Sequence, residues 1–391
     1  MMGNKIKILH LIESEGVYGA ERVILNLSKE MLLAKTSFIP VVGCIVARKD
    51  STNSLYDAAQ SAGIDAVKIP ISNKHLWRDL PLAAHQLKAL KIDLIHSHGY
   101  KPSVFGFIIR LLKKIPVMAT CHLWFEPSKG PLKMRIMIRL EKFFYRWFPK
   151  VIAVSEPIKA VLLSNNLSTN QVDVVHNGVD IPAPDLMAVR QIKQELKIEA
   201  DDFVVLNSAR LNRQKAQWVL IEAAALIKRS GIPIKVLIVG EGPLKKELEA
   251  LIAERELTSN VFLLGFRNDV NHLLQLCNVF TLPSIDEGMP MSLLESAAAN
   301  KPIVSTNVGD IGKLIKHEQS GLVIPLEDPQ ALAKALIQLK EEPHLAKKLA
   351  AAAHDLMKQN YSSESMFRHY SAIYKEILQG NHNDTTSSIT H

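Results

Sequence analysis

The chain has 391 residues, more than one ordinary core needs and enough for two or three domains. Its 47% apolar and 22% charged content excludes collagen-like, mostly disordered and disulfide-scaffold proteins. The net charge of +8 is lopsided, because residues 1–180 carry 24 Lys+Arg against 14 Asp+Glu while 181–391 carry 23 against 25. An acidic partner therefore belongs with the first half.

In chain order, the first apolar run, Ile6–Ile12, meets Glu13 too soon for a signal peptide. No run of about eighteen apolar residues offers a membrane span. Cys44, Cys121 and Cys277 form no CxxC pair, which fits a reducing compartment. A cytoplasmic protein is the expectation. Further strands are predicted at Ile39–Val46, Ala66–Ile69, Leu94–Ser97, Val117–Cys121, Val151–Val154 and Val172–Val175. Helical periodicity fills the gaps at Ala20–Met31, Arg78–Leu90 and Ser103–Leu112. The two prolines and Asn-Gly pair of Asn177–Asp185 break either period and mark a linker. The rhythm then resumes with strands at Phe203–Ser208, Ile234–Val239, Val261–Leu264, Val279–Leu282, Ile303–Thr306 and Leu322–Ile324. Helices are expected at Trp218–Arg229, Leu244–Arg255, Pro290–Ala299, Gln330–Glu341 and Ser363–Leu378. Strongly apolar strands separated by helices predict α/β domains with doubly wound parallel sheets. The expected ranges are 1–180, 181–378 and a disordered tail over 379–391.

Chemistry-bearing residues gather where strands end. In the first half, Gly19 opens a helix after the first strand, and His96, His98 and His122 lie at or beyond the ends of two others. The i, i+2 pair His96 and His98 can mimic a metal pair, but no third ligand of matching spacing is evident and no zinc site is expected. In the second half, Arg210 and Lys215 follow a strand and offer a phosphate two kinds of positive donor. Gly240-Glu-Gly242 and Gly265 follow two more strands. The densest group is Pro283-Ser-Ile-Asp-Glu-Gly-Met-Pro-Met-Ser-Leu-Leu-Glu295, in which Pro290 sits near the start of a helix. Free N–H groups at that start suit an anion, and Glu287 and Glu295 suit hydroxyls on either side of it. Each residue alone also has a plain reading as a solvated charge, a helix cap or a turn.

Together these features resemble the retaining glycosyltransferase family 4 of the GT-B fold over Lys5 to about Leu378. The Glu-x7-Glu pair is matched by Glu287 and Glu295, and the Arg-x4-Lys pair by Arg210 and Lys215. The glycine-rich first loop is matched by Tyr18-Gly-Ala-Glu-Arg22, the active-site histidine by His122, and the phrase before the linker by Val175-His-Asn-Gly-Val-Asp180. The chain departs from the family by having Tyr18 beside Gly19, and Ala216, Asn300 and Asp310 where glycine is usual.

The resemblance implies two Rossmann-like domains facing across a cleft, with the C-terminal helix returning to the first. It implies transfer of a sugar from a nucleotide-sugar, UDP- or GDP-linked, to a glycan, lipid-linked or small-molecule acceptor in cell-surface polysaccharide or glycolipid synthesis. Arg210 and Lys215 would hold the donor diphosphate, Glu295 the ribose and Glu287 the donor sugar. Gly288, Met289, Pro290 and Met291 would position sugar and phosphate. Gly19 would approach the phosphates, Gly265 the base, and His122 the sugar. No cofactor and no metal are implied, because Arg and Lys supply the neutralising charge. The alternatives are a nucleotide-sugar epimerase of the same fold and a silent nucleotide-sugar-binding protein. Residues 129–150 hold seven basic residues, one acid and several aromatics. They are either a helix packed on the first domain or a peripheral contact with an anionic membrane, and nucleic acid is not an expected partner.

Overall fold

The computed structural model describes residues 5–14, 16–17, 19–72, 74–122, 132–180, 183 and 185–387, without the side chains of 132–135, 137–139 and 380–387. The chain divides into two compact units, Met1–Gly178 with Ser363–His391, and Val179–Ser362. This places the boundary two residues before the expected one and gives the last helix to the first unit.

In the first unit seven strands form one sheet. They are β1 (Ile6–Glu13), β2 (Phe38–Val46), β3 (Asp65–Pro70), β4 (Leu94–His98), β5 (Val117–Cys121), β6 (Val151–Ala153) and β7 (Val172–Val174). Their order is β3-β2-β1-β4-β5-β6-β7, and every pairing is parallel. The helices between them are α1 (Gly19–Leu33), α2 (Ser54–Ser61), α3 (Leu76–Ala89), α4 (Tyr100–Lys113), α5 (Leu132–Tyr145) and α6 (Glu156–Ser164). Period-2 alternation sends Leu9 and Leu11 to one face, with residues of α3 and α4, and Ile12, Val42 and Cys44 to the other, with α1 and α2. Chain order reverses between β1 and β4, which makes their carboxyl ends the switch point of this sheet.

The second unit repeats the plan. It contains α7 (Leu186–Glu195), β8 (Phe203–Ser208), α8 (Gln217–Arg229), β9 (Ile234–Val239), α9 (Lys245–Glu254), β10 (Val261–Gly265), α10 (Val270–Leu276) and β11 (Val279–Leu282). There follow α11 (Met291–Ala298), β12 (Ile303–Thr306), α12 (Ile311–Leu314), β13 (Leu322–Ile324), α13 (Pro329–Glu341) and α14 (Pro343–Asn360). The six parallel strands run β10-β9-β8-β11-β12-β13, so the switch point lies between β8 and β11. Helix starts carry the caps the sequence offers. The Asp185 carboxylate accepts from the N–H groups of Met187 and Ala188, and Asp328 accepts from Ala331.

The last helix, α15 (Ser363–Ser387), returns to the first unit, where the Tyr374 and Tyr370 hydroxyls meet His96 and Thr120. It passes the expected end at Leu378, so residues 379–387 are helical rather than a structureless tail. Residues 388–391, Glu15 and Tyr18 lie outside the described residues, as does the 129–131 start of the basic segment.

Candidate active site

The second unit assembles its expected residues at the switch point. Arg210 and Lys215 stand on the loop leaving β8, Glu287 to Pro290 on the loop leaving β11, and Met291 opens α11. Backbone ties hold the two loops together: Ile285 N–H donates to the Gln214 carbonyl at 2.8 Å, and Gln214 Nε2 to the Asp286 carbonyl at 2.7 Å. Across this seam Lys215 Nζ forms an ion pair with Glu287 Oε1, whose side chain is only 6% exposed. A carboxylate that dry keeps its charge at reasonable cost only beside a cation, so the pair fixes both side chains. Arg210 is exposed, and among the described residues its side chain has no such ion pair.

Glycines shape this seam, and they do so against backbone. Gly240 has φ +137°, and a Cβ there would lie 2.1 Å from the Ala209 carbonyl oxygen. At Gly242 it would lie 2.2 Å from the Leu211 carbonyl oxygen. The Gly-x-Gly turn therefore clasps the Arg210 loop, with Leu211 N–H donating to the Glu241 carbonyl at 2.9 Å. On the other loop, Gly309 at φ +56° lets the chain pass Glu287, since a Cβ would come within 2.0 Å of the Glu287 carbonyl oxygen. Gly265, at φ +66°, and Gly288 face open space. Pro290 caps α11 instead of lying inside it, and its carbonyl accepts from Leu293 and Leu294. That leaves the N–H groups of Met291 and Ser292 at the free end of the helix. Met289 is buried in the core, and Glu295 is half-buried one turn along α11.

The family departures resolve simply. Ala216 and Asn300 have φ of +48° and +55°, the left-handed conformation that glycine adopts without strain. Asp310 has φ −92° and pairs with Lys313 at 3.0 Å, so no glycine is needed there.

In the first unit Gly19 is exposed at the start of α1, and His122 is half-buried just beyond β5. His122 is the outer end of a chain the sequence did not reveal. His122 Nε2 and His98 Nδ1 share a hydrogen bond of 2.9 Å, and His98 Nε2 and His10 Nδ1 one of 3.2 Å. His96 pairs instead with Tyr374 at 2.8 Å and with Thr120 at 2.7 Å. Burial pushes His122 down to about 4 and His10 to about 3, and holds His96 and His98 well below the ordinary imidazole range. All four rings are therefore neutral at physiological pH. His10 is the third histidine that spacing did not supply. Nitrogens of His10, His96 and His98 lie within 4.8 Å of one another, a grouping that can gather a cation. Yet five of their six ring nitrogens already have hydrogen-bond partners, leaving only His10 Nε2 without one. His10 shares a strand face with Ile8 and Ile12, and only the parallel pairing of β1 with β4 sets it opposite His96.

The family models described as Glycosyltransferase Family 4 and Glycosyl transferases group 1 match residues 17–182 and 188–355. An uncharacterised glycosyltransferase of Methanocaldococcus jannaschii is 30% identical over 275 residues, covering 65% of this chain and 68% of its own length. The UDP-Gal:alpha-D-GlcNAc-diphosphoundecaprenol alpha-1,3-galactosyltransferase of Escherichia coli is 29% identical over 350 residues, covering 87% of this chain and 89% of its own. Among solved structures, Anabaena HepE in complex with UDP-glucose superposes with a TM-score of 0.80 at 22% identity, covering 95% of this chain and 100% of its own. With two family models, these relatives and two parallel-sheet Rossmann-like units, the chain belongs to the family 4 glycosyltransferases of GT-B fold.

Proposed function

We propose that this glycosyltransferase takes a sugar from a nucleoside-diphosphate donor and passes it, with retention at the anomeric carbon, to a glycan or lipid-linked acceptor. The observation that carries this reading is the Lys215–Glu287 pair at the switch point of the second sheet, with exposed Arg210 on the same loop as Lys215. Arg210 and Lys215 bind the diphosphate and stabilise the charge that develops as it leaves. The free N–H groups at the start of α11, with Gly288, Met289, Pro290 and Met291 shaping the approach, orient the phosphate and sugar. Glu287 receives hydroxyls of the donor sugar, Glu295 those of the ribose, and Gly265 leaves room for the base. Gly19 approaches the phosphates and His122 the sugar. Two side-chain cations do the neutralising, so the reaction runs without a divalent metal or other cofactor. The departing phosphate itself takes the proton of the attacking hydroxyl on the same face, which is how the configuration is kept. The E. coli relative acts on a diphosphoundecaprenol-linked sugar, and the Anabaena structure holds UDP-glucose. Both favour a UDP-sugar donor, and the E. coli relative favours an acceptor carried on a lipid diphosphate, in polysaccharide or glycolipid synthesis.

Arg210→Ala tests the phosphate role cleanly, because an exposed side chain leaves the fold alone. The expected result is a fall in kcat of at least about 100-fold at saturating donor, with an unchanged Tm. A near-normal rate overturns the role.

A lipid-linked acceptor gives the first unit a reason to sit on a membrane surface. Among the described residues no helix is long and apolar enough to cross one. Helix α5 buries Tyr145 but exposes Ile136, Leu140 and Phe143, and Trp147 follows it 59% exposed. Leu111 and Leu112 of α4, which packs against α5, are exposed as well. Apolar side chains among basic ones suit peripheral binding to anionic lipid. Sedimentation with vesicles of rising anionic-lipid content should show binding that grows with charge and is lost in a Phe143→Ser, Trp147→Ser variant. Equal binding by that variant removes the membrane role.

A further inference from the structure

The imidazole chain behind His122 imposes a direction on its hydrogen bonds. A neutral imidazole has one N–H and one bare nitrogen, so each link in the chain needs a donor on one side and an acceptor on the other. Two arrangements satisfy both links. In one, His122 Nε2–H donates to His98 Nδ1 and His98 Nε2–H donates to His10 Nδ1. The remaining proton is then on His10 Nε2, which is buried without a partner. In the other, His10 Nδ1–H donates to His98 Nε2 and His98 Nδ1–H donates to His122 Nε2. The inner end is then a bare lone pair. The remaining proton is on His122 Nδ1, at the half-buried outer end of the chain. A buried N–H without an acceptor is the rarer and costlier defect, so the second arrangement is favoured.

Among the described residues, the surroundings offer no other outlet. His10, at 0% exposure, and His98, at 3%, are sealed inside the unit. The neighbouring His96 is spent on Tyr374 and Thr120, with Thr120 in turn sharing a 2.9 Å hydrogen bond with Tyr370. The rings of His98 and His122 stack at 27° with centroids 5.2 Å apart. In water a free imidazole side chain prefers its proton on Nε2. The favoured arrangement gives His122 the opposite form.

We propose that His98 and His10 are positioning residues that hold His122 as the neutral Nδ1–H tautomer, so that it offers a fixed hydrogen-bond donor to the sugar. The inference rests on the reading of His122 as a donor-sugar contact. A neutral donor stabilises an oxygen that gains electron density without giving up its proton. The chain therefore acts by orientation, and no net proton moves along it.

The test is a two-bond proton–nitrogen correlation spectrum of protein labelled with nitrogen-15 histidine, with His122 assigned by loss of its signals in His122→Gln. The wild type should show His122 with its proton on Nδ1, and His98→Phe should shift it to Nε2–H or to a mixture. The same variant should lower kcat about tenfold with little change in donor KM, the loss of one ordinary hydrogen bond in the transition state. If His98→Phe fails to fold, the paired variants His10→Asn and His10→Leu replace it. The amide N–H of Asn can donate to His98 and should keep the wild-type pattern, whereas Leu should lose it. Thr120→Val, which cuts only the His96 branch, should leave His122 unchanged. An Nε2–H signal for His122 in the wild type overturns the proposal, as does a tautomer indifferent to His98 and His10. The spectrum needs no substrate, so it stands apart from the donor-sugar reading. Near-normal transfer by His122→Ala, which keeps no donor, refutes that reading while the Nδ1–H signal, if present, still supports the chain.

Discussion

Two carboxylates eight residues apart serve different parts of one ligand in this account, and their surroundings explain why. Glu287 is nearly dry and tied to Lys215, whereas Glu295 is half-buried on the next helix. Removing Glu287 frees a lysine for phosphate. Glu287→Ala should therefore leave binding of the free nucleoside diphosphate intact or tighter, while transfer falls because the sugar loses its partner. Glu295→Ala should weaken diphosphate binding, because a ribose contact persists without the sugar. Isothermal titration with UDP decides the matter, and equal weakening by both variants refutes the division of labour. The charged residues of this site were legible in the sequence, since Arg210, Lys215, Glu287 and Glu295 all follow predicted strand ends. His10 was not. It reads as one polar interruption in an apolar strand, and only the β1–β4 pairing turns it into a neighbour of His96 and His98. Spacing along the chain carries no record of that pairing.

At the scale of elements, apolar runs and turn residues marked all thirteen strands among the described residues to within a residue or two. Buried parallel strands make this possible, because both faces must be apolar and the signal is continuous. Helix ends were less legible. Pro290 caps α11 although the sequence placed it in the helix, and α15 continues to Ser387 through polar residues that gave no apolar period. The glycines were legible as turns, but what they approach was not. Gly240 and Gly242 meet the Arg210 loop and Gly309 meets the Glu287 loop, so these glycines serve the site by letting chain pass chain. Gly309→Ala should therefore do two things. It should cost stability of about 1–3 kcal/mol through the left-handed backbone and the clash, and it should lower transfer by moving Glu287. Thermal melts and donor-saturated rates check both, and a variant with wild-type Tm and rate contradicts the proposed role of this crossing.

At the scale of the whole molecule, two copies of one architecture carry different chemistry. Each sheet reverses its strand order once, between β1 and β4 and between β8 and β11. Each unit places its polar residues there, histidines in the first and the Lys215–Glu287 pair in the second. The excess positive charge lies in the first 180 residues, where a phosphate-bearing acceptor or membrane would meet it. Product stereochemistry decides whether the enzyme transfers sugar with retention. An α-linked UDP-galactose or UDP-glucose should be supplied, in the presence of EDTA, with a GlcNAc-diphospho-lipid acceptor, and the product's anomeric proton coupling read by NMR. The account predicts an α-linked product formed at an undiminished rate. A β-linked product, or transfer that stops with EDTA and returns with added metal, would contradict it.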